Sequence, residues 1–146
     1  MTTAKMLFAS FTASAALIAT AAIAQPTVGG TKIRTVLTGA AEVPGPGDPD
    51  GRGTAIIQIN PGKAQICWNI EVSDIEPANA AHIHSAPAGI AGPVVVGLSP
   101  PTDGDSDGCE AIDRSLADAI RKSPQGYYVN VHNATYPAGA LRGQLG

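Results

Sequence analysis

Three histidines are the residues of this chain whose type and spacing best suit a chemical site. His82 and His84 are separated by one residue, His132 follows about fifty residues later, and the chain has no other histidine. Each lies in a short apolar run typical of a β-strand. Alternate side chains of a strand share a face, so His82 and His84 lie about 6 to 7 Å apart on one side. That spacing suits two imidazoles that hold one metal ion.

The run that contains His132 also alternates. Tyr127, Val129 and Val131 fall on one face, and we expect this apolar face to line the core. His132 then lies on the opposite face, as His82 and His84 lie opposite Ile83. If the two strands are neighbours, the three imidazoles converge on one ion, and three nitrogen ligands with one open position suit zinc or copper.

A structural role for the same histidines is the alternative. In that interpretation His82 and His84 hydrogen-bond to loop carbonyls at the end of their strand and stiffen the turn over residues 85–92. The sequence does not decide between the two roles.

The first 24 residues predict a secretory signal. Lys5 precedes an Ala-rich apolar run that ends Ala22-Ile23-Ala24, the small-x-small pattern that signal peptidase cleaves. A membrane anchor is the alternative, but Ser and Thr residues interrupt the run, which falls short of the roughly 20 strongly apolar residues needed to span. We expect a secreted or periplasmic protein that does not span the membrane after cleavage.

Residues 25–32 are predicted to be a linker, and residues 33–146 a single domain, since the remaining length suits one hydrophobic core. Without Lys5, eight basic residues face twelve acidic ones, and the basic residues form no cluster. This balance makes nucleic acid an improbable partner.

Cys67 and Cys109 are the only cysteines. In an exported protein, a disulfide between them is the default expectation. Two buried thiols, or two thiol ligands to a metal, are the alternatives.

Residues 63–72 alternate in polarity and predict a half-buried strand. Its apolar face carries Ala64, Ile66, Trp68, Ile70 and Val72. Six shorter segments show similar patterns, at residues 33–37, 54–59, 80–84, 93–98, 127–132 and 140–145, with Pro- and Gly-rich turns between them. This arrangement predicts a mainly β fold, an antiparallel β-sandwich of the immunoglobulin-like, Greek-key type with about seven or eight strands.

One short helix is expected near residues 113–122. Asp113 can cap it, Leu116 and Ile120 lie four residues apart on one face, and Pro124 ends it. Ile112 precedes the cap and can pack the start of the helix against the core.

Six ordered segments carry a family resemblance. They are Leu37-Thr-Gly-Ala-Ala-Glu-Val-Pro44, Ala81-His-Ile-His84, Gly92-Pro-Val-Val-Val96, Tyr128-Val-Asn-Val-His132, Tyr136-Pro-Ala-Gly139 and Arg142-Gly-Gln-Leu145. Together they resemble the CHRD domain, a module named after chordin and common in secreted bacterial proteins, over about residues 33–146. The resemblance implies an extracellular, mostly β domain and little about chemistry. Many members have Glu two residues before the Arg of the last motif, where this chain has Ala140, so a Glu–Arg pair at that position cannot form here.

A weaker likeness links the chain to the copper-zinc superoxide dismutases, in which imidazoles hold copper beside an arginine. The matching positions are His82, His84, His132 and Arg142. Three histidines are too few for the two-metal site of those enzymes, which excludes it. One copper or zinc ion stays a hypothesis, with Tyr128, Asn130 or water completing its shell and Arg142 nearby.

Other motifs give weaker evidence for a functional site. Residues 103–108 place three carboxylates at alternate positions, as a calcium loop begins, but Arg114 stands where the closing carboxylate is required. An acidic turn leading to Cys109 is the simpler interpretation. Arg142 is either a surface cation or the partner of Glu42 or Asp74.

Two function classes follow. The first, which we favour at this point, is a non-catalytic extracytoplasmic module that binds an extracellular protein, a glycan or a matrix component. The second is a copper- or zinc-binding protein centred on the three histidines and able to carry redox chemistry.

Overall fold

Alternating polarity along the chain builds eight β-strands. The computed structural model describes residues 30–146, so the predicted signal segment and most of the predicted linker lie outside the described residues. The strands are β1 Thr31–Thr38, β2 Arg52–Asn60, β3 Gln65–Ser73, β4 Ala78–Ser85, β5 Val94–Leu98, β6 Asp105–Ala111, β7 Tyr127–Asn133 and β8 Leu141–Gln144. Helix α1 spans Arg114–Lys122, and three 3-10 turns lie at Gly39–Ala41, Pro61–Lys63 and Pro124–Gly126.

The strands pair in the order β5-β4-β7-β8-β1-β2-β3-β6, and every pairing is antiparallel. The sheet is continuous and nearly closed, which fits the β-sandwich predicted from the sequence. Its order places β4, which carries His82 and His84, directly beside β7, which carries His132.

One face of the sheet lines a single apolar core. Fully buried members from across the sheet are Leu37, Ile57, Ile59, Ile66, Ile70, Ile83, Val129, Val131, Leu141 and Leu145. Helix α1 adds Ala117 and Ile120 to this cluster, and Leu116 and Ile112 pack against it. Burying a side chain of this size contributes roughly 1.5–3 kcal/mol, so the core is the main source of stability.

The expected faces of β3 and β7 are confirmed. Ile66, Trp68 and Ile70 of β3 are buried in the core, as are Val129 and Val131 of β7. Two local details differ from expectation. Ala64 precedes β3 in a left-handed backbone conformation that ends a 3-10 turn, and Asp113 occupies the N-cap position of α1 without a side-chain capping bond.

Strand β6 is the element that the sequence did not predict. Its outward residues include the acidic Asp105 and Asp107, and its inward side carries Ser106 and Gly108 in place of apolar residues. Gly108 lies opposite Trp68, where a Cβ atom would overlap the indole ring, and the Ser106 hydroxyl donates to the Ser99 carbonyl at 2.7 Å. Small inward residues hide the apolar alternation that reveals other strands.

The disulfide between Cys67 and Cys109 is present. The two cysteines lie directly opposite each other on β3 and β6, with a Cα–Cα distance of 3.9 Å, and no cysteine is free in the described part. The bond therefore fastens an edge strand of the sheet to its neighbour.

Replacing both cysteines, as Cys67→Ser with Cys109→Ser, should lower the free energy of unfolding by up to about 4 kcal/mol. The bond closes a loop across a sequence separation of 42, and opening it restores chain entropy to the unfolded state. Urea unfolding without reductant measures this loss. A reductant should bring the parent protein to the level of the variant and leave the variant unchanged, whereas equal unfolding midpoints would contradict the prediction.

Candidate metal centre

The three histidines meet on the face of the sheet opposite the core. In the β4–β7 pairing, His132 lies opposite Ala80, so it is diagonal to His82. One ring nitrogen from each histidine lies within 4.8 Å of the others, and His82 Nδ1 is 3.2 Å from His132 Nε2. These are the only His, Cys, Asp or Glu side chains of the described part that form such a group of three.

Backbone carbonyls orient two of the three rings. His84 Nδ1 donates to the Gly92 carbonyl at 2.8 Å, and His132 Nδ1 donates to the Pro137 carbonyl at 3.1 Å. A neutral imidazole that donates through Nδ1 keeps its lone pair on Nε2. Of the two histidines expected to bond to loop carbonyls, only His84 does so in the described part, whereas the ring contact of His82 is with His132. Loop contacts and convergence of the three rings therefore coexist, as in metal sites whose ligands are held by outer hydrogen bonds.

The ring nitrogens that face one another do not all have hydrogen-bond partners among the described residues. His84 Nε2 is buried and has no hydrogen-bond partner among the described residues. His132 Nε2 accepts from His82 Nδ1, because its own proton lies on the Pro137 side. A cation would give all three nitrogens a partner, once His82 moves its proton from Nδ1 to Nε2.

Local electrostatics favour the neutral imidazoles that metals require. Burial lowers the pKa of His82, and the neighbouring His132 and His84 lower it further. Burial also lowers the pKa of His132, although its bond to the Pro137 carbonyl opposes the shift. Both rings are therefore neutral at neutral pH and ready to donate a lone pair.

Tyr128 supports His84 by stacking on its ring, and Arg142 supports Tyr128. The Tyr128 ring stacks on His84 with centroids 4.8 Å apart, and the Arg142 guanidinium lies 3.5 Å from the Tyr128 centroid. Arg142 also donates to the carbonyls of Pro87 and Ile90, each at 3.0 Å. The β4–β5 loop, residues 86–93, is thereby fastened over Tyr128, and this loop supplies the Gly92 carbonyl that holds His84.

Asn130 joins the same layer through Glu42. The Asn130 amide donates to the Glu42 carboxylate, and both side chains are buried. Gly139 closes over this carboxylate in a backbone conformation, φ +146°, that favours glycine, and a Cβ atom there would overlap it. Burial raises the pKa of Glu42 to about 7, against the opposing effects of Arg142 and of hydrogen bonds from Val43 and Asn130.

The structure distinguishes the two candidate partners of Arg142, Asp74 and Glu42. Asp74 forms an ion pair with Arg52 at the surface. Glu42 influences Arg142 through its charge, although no ion pair within 4.0 Å joins them in the described part. Arg142 is 2% exposed, so it is neither a surface cation nor an open anion-attracting group.

Sequence reasoning named Glu42 only as a candidate partner of Arg142 and did not place it beside Asn130. It lies between β1 and β2, far from the histidines in sequence, and only the fold carries it to Asn130. The acidic motif, by contrast, becomes part of β6, with Asp105 and Asp107 exposed and no metal-binding group among the described residues there.

The fold and this cluster define a mainly β domain with a polar, histidine-bearing face. A family model described as the CHRD domain matches residues 33–145. The chain belongs to the CHRD family, in agreement with the resemblance of its motifs. No curated protein and no solved structure shows significant similarity to it. Among the described residues, none of the helices combines the length and the apolar character needed to cross a bilayer.

Glu42→Gln should change how stability depends on pH. The carboxyl of Glu42 has a pKa of about 7 in the folded state, against an ordinary value of 4.5, so between these pH values the folded state holds a proton that the unfolded state has lost. The contribution of this proton to the free energy of unfolding is full below pH 4.5 and disappears as the pH rises through 7. The free energy of unfolding declines by about 3 kcal/mol over this range.

Urea unfolding between pH 4.5 and 8 checks this effect. The unfolding free energy of the parent should fall relative to that of Glu42→Gln as the pH rises. The shifts of His82 and His132 cancel in this comparison because both proteins retain them. The exposed Glu71→Gln variant is the control and should run parallel to the parent. A parallel curve for Glu42→Gln would show that Glu42 titrates normally.

Proposed function

We propose that this CHRD domain binds one zinc or copper ion through His82, His84 and His132. The observation that carries the proposal is the convergence of three ring nitrogens within 4.8 Å, with Nδ1 of two rings already tied to carbonyls. Three imidazoles suit either metal, and copper(II) generally binds nitrogen sites more tightly than zinc.

The surrounding layer supports this function because it fixes the ligands before an ion arrives. Tyr128, stacked on His84, also accepts a hydrogen bond from the Gly92 amide at 3.2 Å, and Arg142 anchors the same loop. Outer contacts of this kind typically contribute 10- to 100-fold in metal affinity.

We further propose that the protein works in a periplasm or outside the cell. Its support is the Cys67–Cys109 disulfide, a bond that persists in oxidising compartments, together with the signal-like first 24 residues.

A non-catalytic module that binds a protein, a glycan or a matrix component is the second candidate. Its support is the exposure of two large apolar side chains near the β4–β5 loop, Ile90 at 55% and Val94 at 51%. Val94 lies opposite His84 in the β4–β5 pairing, so such a surface would adjoin the histidines.

Calorimetric titration of the mature protein with Zn²⁺ and Cu²⁺, with elemental analysis, tests the metal proposal. The parent protein should bind one ion, and His84→Ala should lose more than the roughly 100-fold expected for an outer contact. Ser85→Ala, a neighbour on the same strand, is the matched control and should bind as the parent does. Equal binding by the parent and His84→Ala would leave the binding-module function as the remaining candidate.

Arg142→Lys should weaken metal binding by about 10-fold or more without removing a ligand. Lysine retains the charge beside Glu42, but its single ammonium cannot reproduce the stacked, forked contacts to Tyr128 and the loop carbonyls. The surface variant Arg52→Lys serves as control. Unchanged zinc affinity in Arg142→Lys, measured by the same titration, would show that the loop does not position His84.

A further inference from the structure

The histidine cluster leaves an ion with a vacant coordination position. Zinc usually takes four ligands, and structural sites obtain all four from the protein, whereas catalytic sites obtain three and leave one open. In the described part of the chain, no fourth His, Cys, Asp or Glu joins the group of three.

The two polar side chains opposite His84 and His82 on β7, Tyr128 and Asn130, are engaged elsewhere. The Tyr128 hydroxyl accepts from the Gly92 amide while its ring is held between His84 and Arg142. The Asn130 amide nitrogen donates to Glu42 and approaches the Leu141 carbonyl at 3.5 Å. The fourth ligand is therefore expected to come from outside the protein.

The edge of the sheet offers a way in. Gly97 of β5 lies directly opposite His82, and residues opposite each other in an antiparallel pair share a face. A Cβ atom at Gly97 would have no heavy atom within 4 Å, and Gly97 itself is exposed. Since β5 is an edge strand, no further strand among residues 30–146 covers His82 from this side.

The charge of the metal ion determines which class of external ligand is favoured. Three neutral imidazoles leave the full double positive charge of the ion uncompensated in its first shell. Each anionic ligand that binds reduces this charge, so a small anion is favoured over a neutral molecule of similar size.

We propose that the metal site binds a small monovalent anion at its fourth position, and that the anion enters beside Gly97. The inference rests on the proposed metal-binding function. It makes the site an open centre, in which an external ligand meets the ion, and distinguishes it from a closed structural site.

Titration of the Cu²⁺-loaded mature protein with azide tests this proposal, because azide bound to copper(II) produces a charge-transfer absorption band. We expect one saturable transition in the parent protein. Gly97→Phe should weaken azide binding by about tenfold or more, since the ring covers His82, and should leave copper affinity unchanged. Val36→Phe, at an exposed position on the distant strand β1, is the matched control and should bind azide as the parent does.

The outcomes separate the two proposals. A protein that binds no Cu²⁺ contradicts the metal-binding function itself. One that binds a single Cu²⁺ but gives no azide band has a closed site, and this overturns the inference alone. Equal azide affinity in Gly97→Phe and the parent overturns the assigned entrance.

Discussion

The contacts of the buried Arg142 guanidinium hold together the polar side of the domain. Removing a charge of this kind from water costs several kcal/mol unless hydrogen bonds and opposing charge compensate it. Here the compensation comes from the carbonyls of Pro87 and Ile90, the Gln144 side chain, the Tyr128 ring and the charge of Glu42. Each of these partners is consequently held in place by Arg142, and the loop above the sheet is held with them.

This arrangement gives the domain two layers of different character on the two faces of one sheet. The inner layer is apolar and contributes most of the stability through burial. The outer layer is small and polar. The positions of its side chains are constrained, because each buried donor or acceptor needs a hydrogen-bond partner. His84 Nε2 is the exception in that layer, and it lies where the three rings converge.

Much of the site could be predicted from the sequence because it depends on strand periodicity. The His-x-His spacing and the apolar residues between the histidines placed all three rings on one face, and only the adjacency of β4 and β7 required the structure. Glu42 could not be predicted in the same way, since it enters the site through the pairing of β1 with β8, where Thr38 lies opposite Arg142. The carbonyls of Gly92 and Pro137 carry no side-chain signal at all.

The features of the fold that the sequence does not predict also have physical explanations. Strand β6 was missed because Ser106 and Gly108 replace the apolar residues that mark an inward face. The N-terminal cap expected at Asp113 has the right position without the bond, because capping depends on a side-chain rotamer that the residue type permits but does not impose. Elsewhere the apolar alternation was strong enough to predict both the strands and the side of the sheet that faces the core.

Separate layers also affect how this domain can change during evolution. His82, His84 and His132 are only partly buried, and the core is packed by the intervening residues of the same strands, Ile83 and Val131 among them. Replacing one imidazole therefore leaves the packing of the core intact. A lineage built on this scaffold can gain or lose an imidazole at these positions by single substitutions while its architecture persists.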